Sequence, residues 1–298
     1  MWPYARLELL LGAASSVAAW LLVGQAGWTY WSLPTAVATV LGTALSILLA
    51  VRANTSYQRW WEGSAIWAQI AGLSRNLVRV VVSVSNSKTA VDPAAVRAFQ
   101  RDVAHRQIAY VIALRAQLRG HDYNELADPL ARLQQAEHDI VTAADNKALT
   151  LLAGQSARIF AAYGDGLLTG LDNFQMETAL AALSTQQALA ERISMQPVPR
   201  TYDVFSRYLV HLYTVVFPFA VISTLPEHKW LVIPATLIVA FAFRIVERIG
   251  SVVEAPFGNT TQDVPLTAIG DQLARDLLFL VGDSDRPPAP RARHGYLW

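Results

Sequence analysis

Cysteine is absent from the 298 residues, which excludes disulfides and thiolate metal sites and fits, without requiring, a reducing compartment. Charge is scarce as well: 16% of the residues are Asp, Glu, Lys or Arg, against about 25% in soluble domains. The charge present sums to +1, so there is no basic stripe of the kind that neutralises nucleic-acid phosphates, and no nucleic-acid partner is expected. The six histidines (105, 121, 138, 211, 228, 294) show no HExxH or paired-ligand spacing, so neither metal nor cofactor is expected. No P-loop, nucleophile elbow or dinucleotide fingerprint appears, and strand-like alternation and internal repeats are lacking. Those absences argue against an enzyme.

What is abundant is apolar sequence, 53% of the chain, and it is concentrated rather than spread. Four uncharged runs stand out: roughly Leu9–Trp28, Leu33–Val51, Tyr208–Leu225 and Trp230–Phe243. Each approaches the ~20 residues a helix needs to cross a bilayer. They form two hairpins around a polar middle, and the second run follows the first too closely, with no small-residue cleavage site, for a removed signal peptide. The short connections Thr29–Ser32 and Pro226–Lys229 carry one Lys and no Arg, whereas the opposite ends carry Arg6, Arg52, Arg59, Arg200, Arg207, Arg244 and Arg248. The positive-inside rule then puts both termini and the polar middle in the cytoplasm, with the protein integral to the cell inner membrane. Trp28, Tyr30, Trp31 and Trp230 suit an interfacial aromatic belt.

The expected organisation is a first transmembrane hairpin at 1–52, a cytosolic helical region at 53–200, a second hairpin at 201–250, a cytosolic segment at 251–284 and a Pro/Arg-rich tail at 285–298. Nothing interrupts Ala53–Glu62, and Trp60, Trp61, Ile66, Trp67, Ile70, Leu73 and Leu77 recur at helical spacing. One long helix is therefore expected to run from the second span to the Ser83–Lys88 turn. Asp92-Pro93 starts another, as an N-cap followed by proline, ending near Arg119-Gly120. Shorter helices are expected at Asp128–Ala144, Asn146–Tyr163 and Phe174–Met195, before Pro197 and Pro199 break the chain. Pro265–Val281 makes a last one. The tail, ending Tyr296-Leu297-Trp298, either docks as a regulator or simply packs.

The block Arg52-Ala53-Asn54-Thr55-Ser56-Tyr57-Gln58-Arg59-Trp60-Trp61-Glu62-Gly63 resembles the bestrophin family in its bacterial branch. Asn76-Leu77-Val78-Arg79, the segment from Glu191-Arg192-Ile193 through Pro197-Val198-Pro199 to Tyr202, and Glu254-Ala255-Pro256-Phe257-Gly258 with Asp263-Val264-Pro265-Leu266 match in the same order. The resemblance covers nearly everything except the tail. It implies an all-α membrane protein with four transmembrane helices per chain and a cytosolic helical bundle, assembled as a homopentamer around one axial pore for small monovalent ions. Closed cyclic symmetry is the usual way for short chains to enclose one path. The second span, uncharged and with the small residues Ala38, Gly42, Ala44, Ser46 and Ala50, suits helices crowded around an axis.

The resemblance also implies an apolar pore neck at Thr43, Ile47 and Val51, spaced by four on one helix face and able to gate by dewetting. Thr43 is polar and Val51 smaller than the family's usual Phe, so this neck is expected to be wider and easier to wet. The alternative is that the three residues pack against a neighbouring helix. A cytosolic aperture falls on Leu171, whose alternative is ordinary core. Arg52 and Asn54 fall at the inner mouth, where a ring of Arg52 would favour anions such as chloride; Thr55 and Ser56 add uncharged hydrogen-bonding groups. Arg59 and Glu62 are spaced to pair, and Arg75 and Arg79 lie on the same helix. The run Asn259-Thr260-Thr261-Gln262-Asp263 has one carboxylate, too few for calcium. His121-Asp122 and His138-Asp139 read as surface pairs, while Arg207, His211, Arg244 and Glu247, at span ends, read as snorkelling or paired. A cation-selective channel of the same architecture, a non-conducting scaffold or sensor, and a lipid-processing membrane enzyme remain the alternatives.

Overall fold

The computed structural model describes residues 2–88, 91–120, 123, 126–196 and 200–292, excluding the side chains of 2–5 and 200. His121, Asp122, Pro197, Pro199, His294 and the Tyr296-Leu297-Trp298 end of the tail lie outside the described residues. Among the described residues there is no strand. In these residues ten α-helices follow one another: α1 (Trp2–Ala19), α2 (Thr35–Asn86), α3 (Pro93–Leu118), α4 (Ala127–Ala131), α5 (Gln135–Ala143), α6 (Lys147–Gly164), α7 (Gly170–Met195), α8 (Arg200–Val221), α9 (Val232–Val253) and α10 (Leu266–Leu280). The chain divides into two compact units, Met1–Arg59 with Pro197–Glu254 and Trp60–Gln196 with Ala255–Trp298.

In the first unit α1, α8 and α9 pack against one another. Four helical stretches, Arg6–Gln25, Thr29–Asn86, Thr201–Thr224 and Lys229–Val253, are long and apolar enough to cross a membrane. The third and fourth extend beyond the uncharged runs in the sequence, because α8 begins at Arg200 and α9 continues to Val253. Among the charges in those extensions, Asp203, Arg207, Arg244 and Glu247 are paired, as described below. Wider turns, of π-helical form, continue α1 over Trp20–Gln25, where the Trp20 side chain lies 3.1 Å from the Cβ position of Gly24. Pro218 sits inside α8 and withholds one backbone donor. Nearby, the Ser15 hydroxyl donates to the Val215 carbonyl at 2.7 Å, and the Leu33 amide donates to Phe219 at 3.0 Å.

α2 is one unbroken 52-residue helix, as the sequence pattern indicates. Its buried positions in the first unit, Ala38, Gly42, Leu45, Leu49, Arg52 and Ser56, recur every three or four residues, the spacing of one helix face. Gly42 is required on that face because a Cβ there would come within 2.8 Å of the Tyr213 hydroxyl.

The second unit is built around α3, which packs on α6 and α10. Asp92 caps α3 by accepting from the Ala94 amide, with Pro93 in the first turn. Phe99, Val103, Tyr110 and Leu114 are fully enclosed, and Gln100 and Gln107 tie α3 to α2 by donating to Ser85 and Ser74 at 2.8 Å. Two boundaries differ from the sequence expectation. Asp128–Ala144 is two short helices, because Leu133 turns into the core and Gln134 is extended. α7 starts at Gly170 rather than Phe174, because Thr169 and Asp172 form a reciprocal capping box, a device that satisfies two otherwise orphaned amides.

Candidate functional site

Opposite the buried face of α2 runs a ridge of exposed residues spaced by four: Thr39, Thr43, Ile47, Val51 and Thr55. Ile47 is 61% and Val51 57% exposed. Thr43, Ile47 and Val51 thus share one open face, and no described residue of their own unit buries them. Each threonine turns its hydroxyl back on the helix. Thr39 donates to the Thr35 carbonyl at 3.1 Å, Thr43 to Thr39 at 2.8 Å and Thr55 to Val51 at 3.0 Å. The hydroxyl proton of Thr43 is therefore already committed, and a donor used internally is not available to an anion passing the ridge. What the ridge presents is methyl groups and the remaining lone pairs of the hydroxyl oxygens.

Arg52 is 7% exposed and lies on the buried face. Its guanidinium forms ion pairs with Asp203, with Glu247 at 3.2 Å and with Glu254 at 3.8 Å, and donates to the Ser206 hydroxyl at 2.7 Å. Around it, Arg207 pairs with Asp203 at 2.8 Å and Arg244 with Glu247 at 2.7 Å. Three guanidiniums meet three carboxylates. Burial raises the Glu254 carboxyl above its usual range, partly offset by Arg52. Carboxylates of its own unit surround the Arg52 charge, which lies on the face away from the exposed ridge, an arrangement that argues against a ring of Arg52 at a pore mouth. Asn54, by contrast, is exposed; Ser56 is buried.

A second pairing, of a buried carboxylate with a half-buried histidine, was not legible in the sequence. Glu8 is 1% exposed, and His211 Nδ1 lies 2.7 Å from its carboxylate. The positions of His211, Arg207, Arg244 and Glu247 at span ends signalled snorkelling or pairing, but nothing near Glu8 in sequence names His211.

In the second unit Leu171 is 73% exposed, in the first turn of α7, so it is not core. Asp172 beside it accepts from the Thr169 hydroxyl at 2.6 Å and amide at 2.8 Å, with the Lys88 ammonium at 3.4 Å. Burial pushes this carboxyl up, but the Thr169 hydrogen bonds and Lys88 outweigh it and hold it below the usual carboxylate range. Glu62 pairs with Arg192. The Trp60 indole donates to the Gln262 carbonyl at 3.0 Å, and a Cβ at Gly63 would press on Phe257 and Pro256 at 3.2 Å. Two of the sequence blocks that carry the family resemblance therefore meet, and Gly63 is needed for the close approach. Among the described residues no group of three or more His, Cys, Asp or Glu could hold a metal.

Residues 5–278 match the family described as bacterial/fungal bestrophin protein. A voltage-dependent anion channel-forming protein of Synechocystis sp. is 28% identical over 274 residues, 90% of this chain and 84% of that relative. The voltage-dependent anion channel-forming protein YneE of Escherichia coli is 26% identical over 249 residues, 84% of this chain and 77% of the relative. A crystal structure of a bacterial bestrophin homolog from Klebsiella pneumoniae matches with a TM-score of 0.81 at 24% identity, covering 93% of this chain and 98% of that one. At that identity the structural likeness speaks for the fold.

Proposed function

The chain belongs to the bacterial/fungal bestrophin family, and from that premise we propose that it forms a passive, homopentameric channel for small monovalent ions, with anions such as chloride favoured. In this reading the hairpins at 1–52 and 201–250 cross the cell inner membrane, both termini and residues 53–200 are cytoplasmic, and α2 lines one axial pore. The observation that carries it is the exposed ridge Thr43–Ile47–Val51 on a helix whose other face is fully engaged. Such a face suits a narrow bore in which five copies set an apolar neck that gates by dewetting. Exposed Leu171 suits a second, cytosolic constriction, and exposed Asn54 an uncharged inner mouth. The preference for anions is supported by the names of the relatives, described as anion channel-forming.

A cation-selective channel of the same architecture is the second reading, and specific observations favour it. Arg52 is neutralised by carboxylates, and Thr43 offers lone pairs rather than a proton. The reversal potential of purified protein in a planar bilayer under a chloride-salt gradient separates the two. A value towards the chloride equilibrium potential supports the first reading, one towards the cation's supports the second, and no current from intact oligomers refutes both.

A further inference from the structure

Within the second unit, α2 and α10 flank an open cavity of about 640 Å³, inside the range of about 300–1,000 Å³ typical of small-molecule sites. Its walls carry four guanidiniums, those of Arg75, Arg79, Arg275 and Arg286, and one carboxylate, Asp276. That carboxylate is spent: one oxygen accepts from Arg75 and the other from Gln272, both at 2.8 Å. Three arginines then remain with no carboxylate within ion-pair distance among the described residues. Arg79 gives one N–H to Asn76 at 2.6 Å, Arg275 gives one to the Pro287 carbonyl, and Arg286 lies over the exposed Phe279 ring, 5.4 Å from its centre. Each contact fixes a guanidinium in place and leaves most of its five donors free.

Three positive forks held around one cavity repel one another unless a polyanion joins them. Chloride carries too little charge and has no geometry to match a fork. A phosphate group presents paired oxygens that guanidinium binds in bidentate fashion. We propose that this cavity binds a compact phosphorylated anion, with Arg79, Arg275 and Arg286 as its phosphate-binding residues. The site is independent of whether the protein conducts.

The test is calorimetric titration of the full-length, detergent-solubilised protein with inorganic pyrophosphate, against sulfate at equal ionic strength. Saturable binding of pyrophosphate is expected, weakening as salt is raised because the contacts are charged. The Arg79→Ala/Arg275→Ala double variant is expected to weaken binding at least about tenfold. Gly72 also lines the cavity, and a Cβ there would meet no atom within 4 Å. Gly72→Phe should therefore fill the space and abolish binding while leaving the thermal melt unchanged, which covers the case of a misfolded double variant. Absence of saturable binding, sulfate binding as tightly as pyrophosphate, or full affinity in Gly72→Phe would each overturn the proposal; the first would indicate that acidic side chains of another copy occupy the site.

Discussion

A single hydrogen atom in place of a methyl group decides how α6 meets α5. The Cβ of an alanine at position 154 would stand 2.5 Å from Glu137 Oε1. That oxygen cannot swing away, because Arg106 holds both oxygens of Glu137, at 2.5 and 2.6 Å, while Asp102 holds Arg106 and is itself held by Arg158. Glycine to alanine inside a helix ordinarily stabilises by about 0.5–1 kcal/mol. At Gly154 the sign should reverse, with a loss of about 1–3 kcal/mol from overpacking, read as a lower midpoint in chemical denaturation. Arg52 is the other residue whose surroundings decide its role. Removing one partner of a buried ion pair costs about 3–5 kcal/mol, and Glu247 is fully buried beside it. Arg244 still holds Glu247 when Arg52 is lost, so Arg52→Gln should fall at the lower end of that range. The expected result is a depressed melting temperature with the reversal potential unchanged. A shifted reversal potential at unchanged stability would restore a direct role for Arg52 in ion passage. Neither environment was legible in sequence: Glu137 and Gly154 are on different helices, and Asp203 and Glu247 lie 151 and 195 positions from Arg52.

At the scale of elements the sequence was informative wherever a local rule operates. The length of α2 and the Asp92-Pro93 start of α3 follow from spacing and capping residues. The break between α4 and α5 did not, because it depends on Leu133 reaching a core that only the tertiary fold supplies. The segment leading into the tail is held in the same non-local way. Asp283 lies 3.3 Å from His105 Nε2, and Asp285 pairs with Arg132. Burial and Arg132 lower the His105 pKa below 6.5, against the opposing pull of Asp283 and Asp102. A hydrogen bond from the Asp285 amide, together with His105 and Arg101, lowers Asp283 despite its burial. Both groups are depressed in the folded state, so the folded form binds fewer protons than the unfolded one and loses stability as pH falls. For His105 the loss begins below its unfolded value of 6.5; for Asp283 it begins below 3.8. Hydrogen exchange at the amides of residues 281–286 and 289, corrected for intrinsic rates, should show protection falling first as the pH drops below 6.5. In His105→Gln that first step should disappear while the step near the carboxylate range remains.

At the scale of the whole molecule, the exposed ridge of α2 is the feature on which the proposed assembly rests. Sequence spacing placed Thr43, Ile47 and Val51 on one face, and the structure leaves that face open. It also shows what spacing could not, that the Thr43 hydroxyl is turned onto the Thr39 carbonyl. The difference between Thr43 and an apolar residue is therefore smaller at the surface of the ridge than its formula suggests, and the expected ease of wetting rests mainly on the small side chain of Val51. In the proposed channel, an uncharged neck resists ions by excluding water, with no preference for sign. Altering its width should accordingly change how much current flows and leave its selectivity alone. Val51→Phe is expected to reduce single-channel conductance several-fold, and Val51→Ala or Ile47→Ala to raise it, all at the wild-type reversal potential. Thr43→Val, which keeps the volume and removes the internally bonded hydroxyl, should alter conductance less than Val51→Phe. Recordings under a fixed salt gradient measure both quantities in one experiment. If conductance ignored all four substitutions, the ridge would be a packing or lipid-facing surface; if the reversal potential moved with them, the neck itself would be choosing the ion.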